Sequence, residues 1–301
     1  MLSLLDAIRP TTIIQSQKLR DRLGLDITIA AETFQHTGSF KFRAAYNVAL
    51  NVPNDEIIGV SSGNFGQALA YACKLTGKTC TVVMPDNSAQ VKIDAVRSYG
   101  ADADLINVRE VSRTDRVEQL KAEQPDAYIA SAFDDQFVID GNSTLGDELA
   151  AENFDAVVIP VGGGGLISGT IVSFRRNGVK ADIYGAEPLM ANDAARSLRA
   201  GELIANESEP QTIADGTRTL SLGNLNWPII KDGVKDIIEV QEELIAEGLK
   251  LYFTDANLKC EPTGALSLAA VIKRPELFKD KRVCVVVTGG NVDPEVYKRL
   301  I

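Results

Sequence analysis

Lys41 stands close to the predicted start of a helix, in the segment Thr-Gly-Ser-Phe-Lys-Phe-Arg at 37–43. Ser39 is predicted to cap a helix over 40–50. Lys41 would then lie in the first turn, at the positive end of the helix dipole, which lowers the pKa of its amine. A neutral amine can form a Schiff base with a carbonyl compound. An ordinary solvated lysine is the alternative, and other segments of the chain must decide between the two.

Four consecutive glycines predict a site for a phosphate group. Gly162, Gly163, Gly164 and Gly165 follow a predicted strand and precede a predicted helix that begins at Leu166. The N–H groups of such a loop can converge on one anion, helped by the helix N-terminus. The segment does not fit the G-x-G-x-x-G pattern of dinucleotide-binding loops, and it lacks the lysine of a P-loop. A flexible turn is the alternative interpretation.

Two further turns after predicted strands carry polar side chains. Ser61, Ser62 and Asn64 open a helix, where N–H groups and hydroxyls suit a carboxylate; Asn64 could also donate to a ring oxygen, and Ser62 could exchange a proton. Thr288 ends the last strand, and its hydroxyl could hydrogen-bond a heteroaromatic nitrogen. A capping loop and a plain strand exit are the respective alternatives.

A possible cation site is formed by two carboxylates, Glu187 and Asp193, which flank a carbonyl-rich turn. Hard cations prefer such oxygen ligands. Two acids in a loop are more often simply solvated, so the pattern alone does not establish a metal.

Composition and charge exclude several classes of function. The net charge is −10 and no block of Lys and Arg stands out, so nucleic acid and membranes are not expected as partners. The single histidine, His36, excludes Ser-His-Asp triads, Cys-His dyads and His-based zinc sites. The N-terminus does not resemble a signal peptide, and the four cysteines lack metal-ligand spacing and are expected to be small buried hydrophobes. A cytoplasmic location is therefore expected.

The elements that must position these residues alternate between strands and helices, which is typical of parallel sheets with crossover helices. Strands are predicted at 57–60, 81–84, 105–108, 156–161, 182–186 and 283–287, and helices at 67–75, 89–99, 117–123, 141–153 and 166–177. Gly77, Gly100 and Gly178 are predicted to stop three of the helices. We expect a small domain over 54–131 and a larger one over 1–53 plus 132–301, with a ligand in the cleft between them.

Taken in order, these segments resemble the fold-type II pyridoxal-phosphate enzymes, most closely the serine racemase and serine/threonine dehydratase family. The matching segments are 34–41, 61–68, 160–165, 186–188, 212–216, 261–265 and 289–293, so the likeness covers nearly the whole chain. The resemblance implies an α/β fold like that of the tryptophan synthase β subunit, with two domains that each contain a mostly parallel twisted sheet flanked by helices. It also implies pyridoxal 5'-phosphate as cofactor, a small amino acid as substrate and a homodimer.

The resemblance assigns roles to individual residues. Lys41 and Ser62 would be catalytic, on opposite faces of the cofactor ring, and Ser61, Ser62 and Asn64 would bind the substrate carboxylate. The cofactor would be bound by Phe40, Lys41, Asn64, Gly162, Gly163, Gly164, Gly165, Leu166 and Thr288. Glu187, the carbonyl of Ala191 and Asp193 match the family's site for a divalent cation (Mg, Mn or Ca). One departure is Phe65, where the family commonly has His.

The reaction implied is β-elimination from L-serine, L-threonine or a related 3-hydroxy amino acid, giving a 2-oxo acid and ammonia. Racemisation by the same site is the alternative, since Ser62 could return a proton to the opposite face. A β-replacement enzyme is disfavoured because the lysine segment differs from the Ser-Val-Lys-Asp-Arg pattern of those synthases. A cofactor-binding protein without turnover is a further alternative.

Overall fold

The structure is a computed structural model that describes residues 2–61, 63–88 and 90–301. Within these residues the strands are β1 (Thr12–Ile14), β2 (Asp26–Ala31), β3 (Glu56–Val60), β4 (Thr79–Pro85), β5 (Asp102–Ile106), β6 (Tyr128–Ala130), β7 (Ala156–Pro160), β8 (Asp182–Pro188), β9 (Asp236–Val240) and β10 (Arg282–Val287). The helices are α1 (Leu4–Ala7), α2 (Gln17–Leu23), α3 (Lys41–Asn51), α4 (Asn64–Thr76), α5 (Gln90–Ser98), α6 (Arg113–Glu123), α7 (Gln136–Ala150), α8 (Gly165–Asn177), α9 (Asp193–Ala200), α10 (Asn226–Lys231), α11 (Glu242–Ala256), α12 (Pro262–Lys273) and α13 (Pro294–Leu300).

The larger sheet has the strand order β1-β2-β10-β7-β8-β9, and only the edge strand β1 runs antiparallel to its neighbour. Its central strand β10 pairs with both β2 and β7, and residues 283–287 of this valine-rich strand are buried. A strand covered on both faces needs apolar side chains at every position, which explains the unbroken apolar run.

The smaller sheet has the order β5-β4-β3-β6 and is parallel throughout. The predicted parallel α/β architecture is therefore confirmed. All four of its strands lie between residues 54 and 131, the limits expected for the small domain, and that domain division itself stays a prediction.

Several elements differ from the sequence prediction. The predicted strand at 105–108 is wrong in position, because β5 pairs with β4 from Asp102 to Ile106 while the apolar Leu105 and Val108 are exposed. Strands β1, β2, β6 and β9 were not predicted. The predicted helix at 89–99 is present as α5, although its expected first residue, Ala89, lies outside the described residues.

Glycine stop signals were predicted correctly. Gly77 and Gly178 end α4 and α8 with left-handed φ angles of 73° and 66°, which a residue without Cβ adopts most easily. The four cysteines are free and buried, as expected. In the part of the chain that is described, none of the helices combines the length and the apolar character needed to cross a bilayer.

Helix α3, which carries Lys41, is anchored by Arg43, whose guanidinium is fully buried. It forms a two-point ion pair with Glu32 at 2.8 and 2.9 Å and also contacts Glu148 on α7 at 2.8 Å. Helix α7 approaches closely because Gly141 has no side chain: a Cβ there would lie 2.6 Å from the Arg43 carbonyl oxygen. These contacts fix the first turn of α3 relative to β2 and α7.

Candidate active site

A cavity of about 370 Å³ lies where segments that follow strands of both sheets meet. Ligands of parallel α/β proteins bind at these carboxyl ends of strands, in cavities of roughly this size. The predicted site residues that line it are Phe40, Lys41, Ser61, Asn64, Gly162, Gly163, Gly164, Gly165, Leu166 and Thr288. Ser62 lies outside the described residues.

The amine of Lys41 is enclosed by protein although part of the side chain borders the cavity. It donates a hydrogen bond to the Ala132 carbonyl at 2.7 Å and lies 5.0 Å from the ring centre of Phe40 and 5.7 Å from that of Phe65. Burial lowers the pKa of Lys41 to about 8, while the Glu261 carboxylate acts in the opposite direction. The predicted direction of the shift is confirmed, but its main cause is burial rather than the helix dipole.

The predicted cap at Ser39 is wrong. Helix α3 begins at Lys41, and the residue before it, Phe40, already has helical backbone angles. Ser39 is extended and pairs with Gly289 in an isolated antiparallel bridge, and no side chain caps α3 by a hydrogen bond. The Ser39 hydroxyl is buried without a hydrogen-bond partner among the described residues.

The glycine loop is packed so closely that side chains are excluded. A Cβ on Gly163 would lie 2.1 Å from the ring of Phe133, and Gly164 has a left-handed φ of 91°. The Gly163 carbonyl accepts hydrogen bonds from the N–H of Gly223 at 3.0 Å and from Asn226 Nδ2 at 2.9 Å. Helix α8 begins directly after the loop, and the N–H groups of a first turn have no acceptor within their own helix. The loop therefore offers donors for an anion, with no room for side chains beside them.

Thr288 and Asn64 present polar atoms on other walls of the cavity. Thr288 follows β10, and its hydroxyl is buried without a partner in the described part of the chain. Asn64 Nδ2 donates to the two carboxylate oxygens of Glu261 at 2.8 and 3.1 Å, while its Oδ1 accepts from Asn291 at 2.8 Å. The Asn64 carboxamide thus has a defined orientation, and the Thr288 hydroxyl is available to a ligand.

Charged residues that the sequence analysis did not assign also line this cavity. Glu261 is buried, and burial, followed by the nearby Asp215, raises the pKa of its carboxyl group to about 8. Lys92, Arg113 and Arg218 lie around the same cavity, and Lys92 pairs with Asp215 at 3.3 Å. In the sequence, Glu261 can be recognised by its position before Pro262, which opens α12. The residues that contact its carboxylate, however, come from distant segments.

The candidate metal ligands do not line this cavity; they lie at the end of β8, in the turn that follows it and at the start of α9. Glu187 and Asp193 are both buried, and Ala191 belongs to the turn that joins them. Glu187 accepts hydrogen bonds from the N–H groups of Ala195 at 2.7 Å and Ala194 at 3.3 Å. Burial raises the pKa of Asp193 to about 7 and that of Glu187 well above its ordinary value.

These two carboxyl groups are suitable ligands for a cation, because a bound cation would offset the free-energy cost of burying their negative charges. Asp193 Oδ2 has no hydrogen-bond partner among the described residues. Over residues 2–61, 63–88 and 90–301, however, no three or more His, Cys, Asp or Glu side chains come together as a metal cluster, so main-chain oxygens would have to complete the site.

Comparison with known proteins identifies the family. The sequence profile of the family described as pyridoxal-phosphate dependent enzyme matches residues 4–289. The chain belongs to this family. Among pyridoxal-phosphate dependent enzymes, it is 37% identical over 297 residues to a serine racemase of Dictyostelium discoideum, covering 95% of this chain and 90% of that protein. It is also 34% identical over 297 residues to an L-threo-3-hydroxyaspartate ammonia-lyase of Pseudomonas sp, covering 97% and 92%.

The fold is shared with solved enzymes of this family. A threonine deaminase from T.th. superimposes with a TM-score of 0.88 at 37% identity, covering 96% of this chain and 95% of the other. The fold-type II assignment and the resemblance to the serine racemase and dehydratase family are confirmed. The chain is therefore a pyridoxal-phosphate dependent enzyme of the group that contains ammonia-lyases and racemases.

The cavity fits pyridoxal phosphate on three independent points. The side-chain-free loop at Gly163 and Gly164 suits a phosphate, the unpartnered Thr288 hydroxyl suits a ring nitrogen, and the enclosed amine of Lys41 suits an aldehyde.

Proposed function

We propose that this enzyme eliminates water from L-serine, L-threonine or a related 3-hydroxy amino acid: the α-proton and the β-hydroxyl group leave as water, and water then hydrolyses the released enamine to a 2-oxo acid and ammonia. The observation that carries the proposal is the enclosed Lys41 amine, which lies in the same cavity as the glycine loop and the Thr288 hydroxyl. A threonine deaminase and a hydroxyaspartate ammonia-lyase among the similar proteins support elimination as the reaction type.

The residues that would hold pyridoxal phosphate follow from their positions. Lys41 would join its aldehyde, Asn64 would donate to its 3-hydroxyl group, Thr288 would meet its pyridine nitrogen, and Phe40 would pack beside its ring. The loop residues Gly162, Gly163, Gly164, Gly165 and Leu166 would hold its phosphate through backbone N–H groups. When bound, the cofactor withdraws electrons from the α-carbon of an amino acid and so makes the α-proton acidic.

The chain's own residues then bind the substrate and move protons. Ser61 and Asn64 bind the substrate carboxylate at the start of α4, where the helix N-terminus favours an anion. The Lys41 amine, when neutral, takes the α-proton, and its lowered pKa keeps a usable fraction of it neutral near pH 8. The apolar ring of Phe65 beside the amine excludes water from it.

Racemisation is the alternative outcome, and the serine racemase among the relatives favours it as the second candidate. It requires an acid on the face opposite Lys41, and Ser62 is the residue proposed for that role. Return of a proton from Ser62 before the hydroxyl group leaves would give the D-enantiomer.

A dicarboxylic 3-hydroxy amino acid is the second candidate substrate. Lys92, Arg113 and Arg218 line the cavity, and such cations would attract a second carboxylate. A relative named for 3-hydroxyaspartate agrees with this candidate.

Four further features are proposed. A divalent cation such as Mg, Mn or Ca is bound by Glu187, the Ala191 carbonyl and Asp193. The enzyme is a homodimer and acts in the cytoplasm. Its small domain spans residues 54–131, and the rest of the chain forms the larger domain. Two buried carboxyl groups with raised pKa values support the first of these, and the others rest on the family resemblance and on the sheet boundaries.

The test is a spectrum followed by a substrate screen. The purified protein is expected to absorb visible light, and borohydride should fix a pyridoxyl group on Lys41 within peptide 39–43. Serine, threonine and 3-hydroxyaspartate are then assayed for 2-oxo acid and for inverted stereochemistry. Lys41→Ala should lose the spectrum and the activity, whereas Lys235→Ala, at an exposed lysine, should keep both. A Lys41→Ala variant that retains them would refute the assignment.

A further inference from the structure

A second cavity of about 320 Å³, the vestibule, borders the active-site cavity, and the proposed reaction assigns no ligand to it. The residues that line both cavities are Lys92, Arg113, Glu209 and Arg218. Asn87 and Ser88 line the vestibule but not the active-site cavity. The vestibule therefore opens beside the active site and extends away from it.

Positive charge predominates at the place where the two cavities meet. Three of the four shared residues are cations and only Glu209 is a carboxylate, although the whole chain has a net charge of −10. A cleft that is lined mainly by one sign of charge attracts ions of the other sign. An anion is therefore the kind of ligand that these charges favour.

The three cations differ in how far other protein groups already engage them. Lys92 pairs with Asp215 at 3.3 Å. Arg218 donates from Nε to the Thr212 carbonyl at 3.0 Å, which fixes the position of its guanidinium. Arg113 has no carboxylate within ion-pair distance among the described residues, and a guanidinium can meet a carboxylate or phosphate with two parallel hydrogen bonds. Arg113 is therefore the cation most available to a ligand.

Two helices begin at the vestibule, and a serine hydroxyl lies beside one of them. Arg113 is the first residue of α6, and Ser88 lies two residues before Gln90, where α5 begins. The N-terminus of a helix favours an anion because its first N–H groups lack acceptors within the helix. The Ser88 hydroxyl is buried and has no hydrogen-bond partner in the described part of the chain. It is therefore a further donor for a ligand in the vestibule.

We propose that the vestibule is a binding site for a carboxylate or phosphate group, which Arg113 and Ser88 bind directly while Lys92 and Arg218 add positive charge. This site is separate from the start of α4, where the proposed function places the α-carboxylate of the substrate. Two sources can supply such a group: a free anion from solvent, or the second acidic group of a substrate that extends out of the active-site cavity.

The test is a calorimetric titration of the full-length protein, loaded with pyridoxal phosphate so that the glycine loop is filled and then freed of excess cofactor. Ionic strength is held constant with sodium chloride. Inorganic phosphate should bind saturably to wild type, and Arg113→Gln and Ser88→Ala should each raise the dissociation constant about 10-fold or more. Arg97→Gln is the matched control, because Arg97 is an exposed cation in the last turn of α5 that lines neither cavity; its constant should not change.

Succinate and butyrate distinguish the two sources, because they have the same number of carbon atoms and differ by one carboxylate. Binding of phosphate that depends on Arg113 and Ser88 shows that the vestibule accepts a free anion. If phosphate does not bind but succinate binds more tightly than butyrate, and both variants remove this difference, the anionic group is part of the substrate.

The proposal is overturned if phosphate does not bind and succinate binds no more tightly than butyrate. It is also overturned if Arg113→Gln or Ser88→Ala binds as tightly as wild type, or if Arg97→Gln weakens binding as much as they do. Should Arg113→Gln lack a cooperative thermal transition, Ser88→Ala decides alone. No amino acid reacts in these titrations, so their failure is distinct from failure of the proposed function.

Discussion

Replacing Gly163 by alanine is expected to weaken cofactor binding more than folding. The added Cβ would lie 2.1 to 2.6 Å from three ring atoms of Phe133, well inside normal contact distance. The loop cannot retreat easily, because Asn226 Nδ2 holds both the Gly163 and the Phe133 carbonyl oxygens at 2.9 Å. The Phe133 ring must therefore turn, and since it borders the cavity, the space it turns into is where the cofactor would bind.

The size of the effect follows from the cost of inserting a methyl group into a packed site, about 1–3 kcal/mol. Cγ of Phe133 lies nearest to the added Cβ, so the half-buried side chain must change its rotamer, and part of this cost falls on folding. The movement is directed into the cavity, so a bound cofactor would oppose it and the larger part of the cost should fall on binding. The dissociation constant for pyridoxal phosphate should therefore rise about 5- to 150-fold.

The assay is an absorbance titration of the cofactor-free protein with pyridoxal phosphate, accompanied by thermal melts. Gly63→Ala is the matched control, because its added Cβ meets no atom within 4 Å and its φ is −120°. It should bind cofactor with nearly the wild-type constant. If Gly163→Ala also kept the wild-type constant, the assignment of this loop to the phosphate would be wrong.

Three further predictions concern stability. Arg43→Met leaves the buried Glu32 carboxylate without its partner and should lower the free energy of unfolding, measured in urea, by about 3–5 kcal/mol. Arg176→Met, at an exposed ion pair, should lower it by less than about 1 kcal/mol. Equal losses would contradict the role of burial. Mg²⁺, Mn²⁺ or Ca²⁺ should raise the Tm of wild type but not of Glu187→Gln, measured with and without chelator. The hydrogen bond from Arg22 lowers the pKa of Asp255 to about 2. The stability that Asp255 contributes is therefore complete above its unfolded pKa of about 3.9 and is lost as pH falls towards 2. In Asp255→Asn the free energy of unfolding should fall less steeply between these pH values than in wild type. An equally steep fall in the variant would argue against this pairing.

Features encoded within a few neighbouring residues were predictable from the sequence. The glycine loop was recognisable because a strand, four glycines and a helix start follow one another, and Thr288 because it directly ends an apolar strand. The lysine was found by an argument about the helix dipole, and the predicted direction of its pKa shift is confirmed. The Phe65 ring and the Ala132 carbonyl beside its amine, however, come from other segments.

Features that depend on distant segments were not predictable in the same way. The hydrogen bond from Asn64 to Glu261 joins residues that are 197 positions apart, and no local sequence pattern predicts it. The prediction of a cap at Ser39 was wrong for the same reason, because the Ser39 backbone pairs with Gly289, near the other end of the chain. Strands β2 and β9 were missed although their sequences are apolar, because only their pairing partners distinguish them from other short apolar runs.

The two walls of the cavity are built from different parts of the chain. This arrangement bears on how the substrate preference of such an enzyme can change. The groups suited to the coenzyme come mainly from segments around the larger sheet, whereas Ser61, Phe65, Lys92 and Arg113 come from segments around the smaller one. Under the proposed roles, substitutions at Ser61, Phe65, Lys92 or Arg113 should change which amino acid is accepted with less effect on the coenzyme, whereas Asn64, from the same wall, must be kept for both. Relatives of one architecture that are named for different amino acids are what such a separable wall would produce.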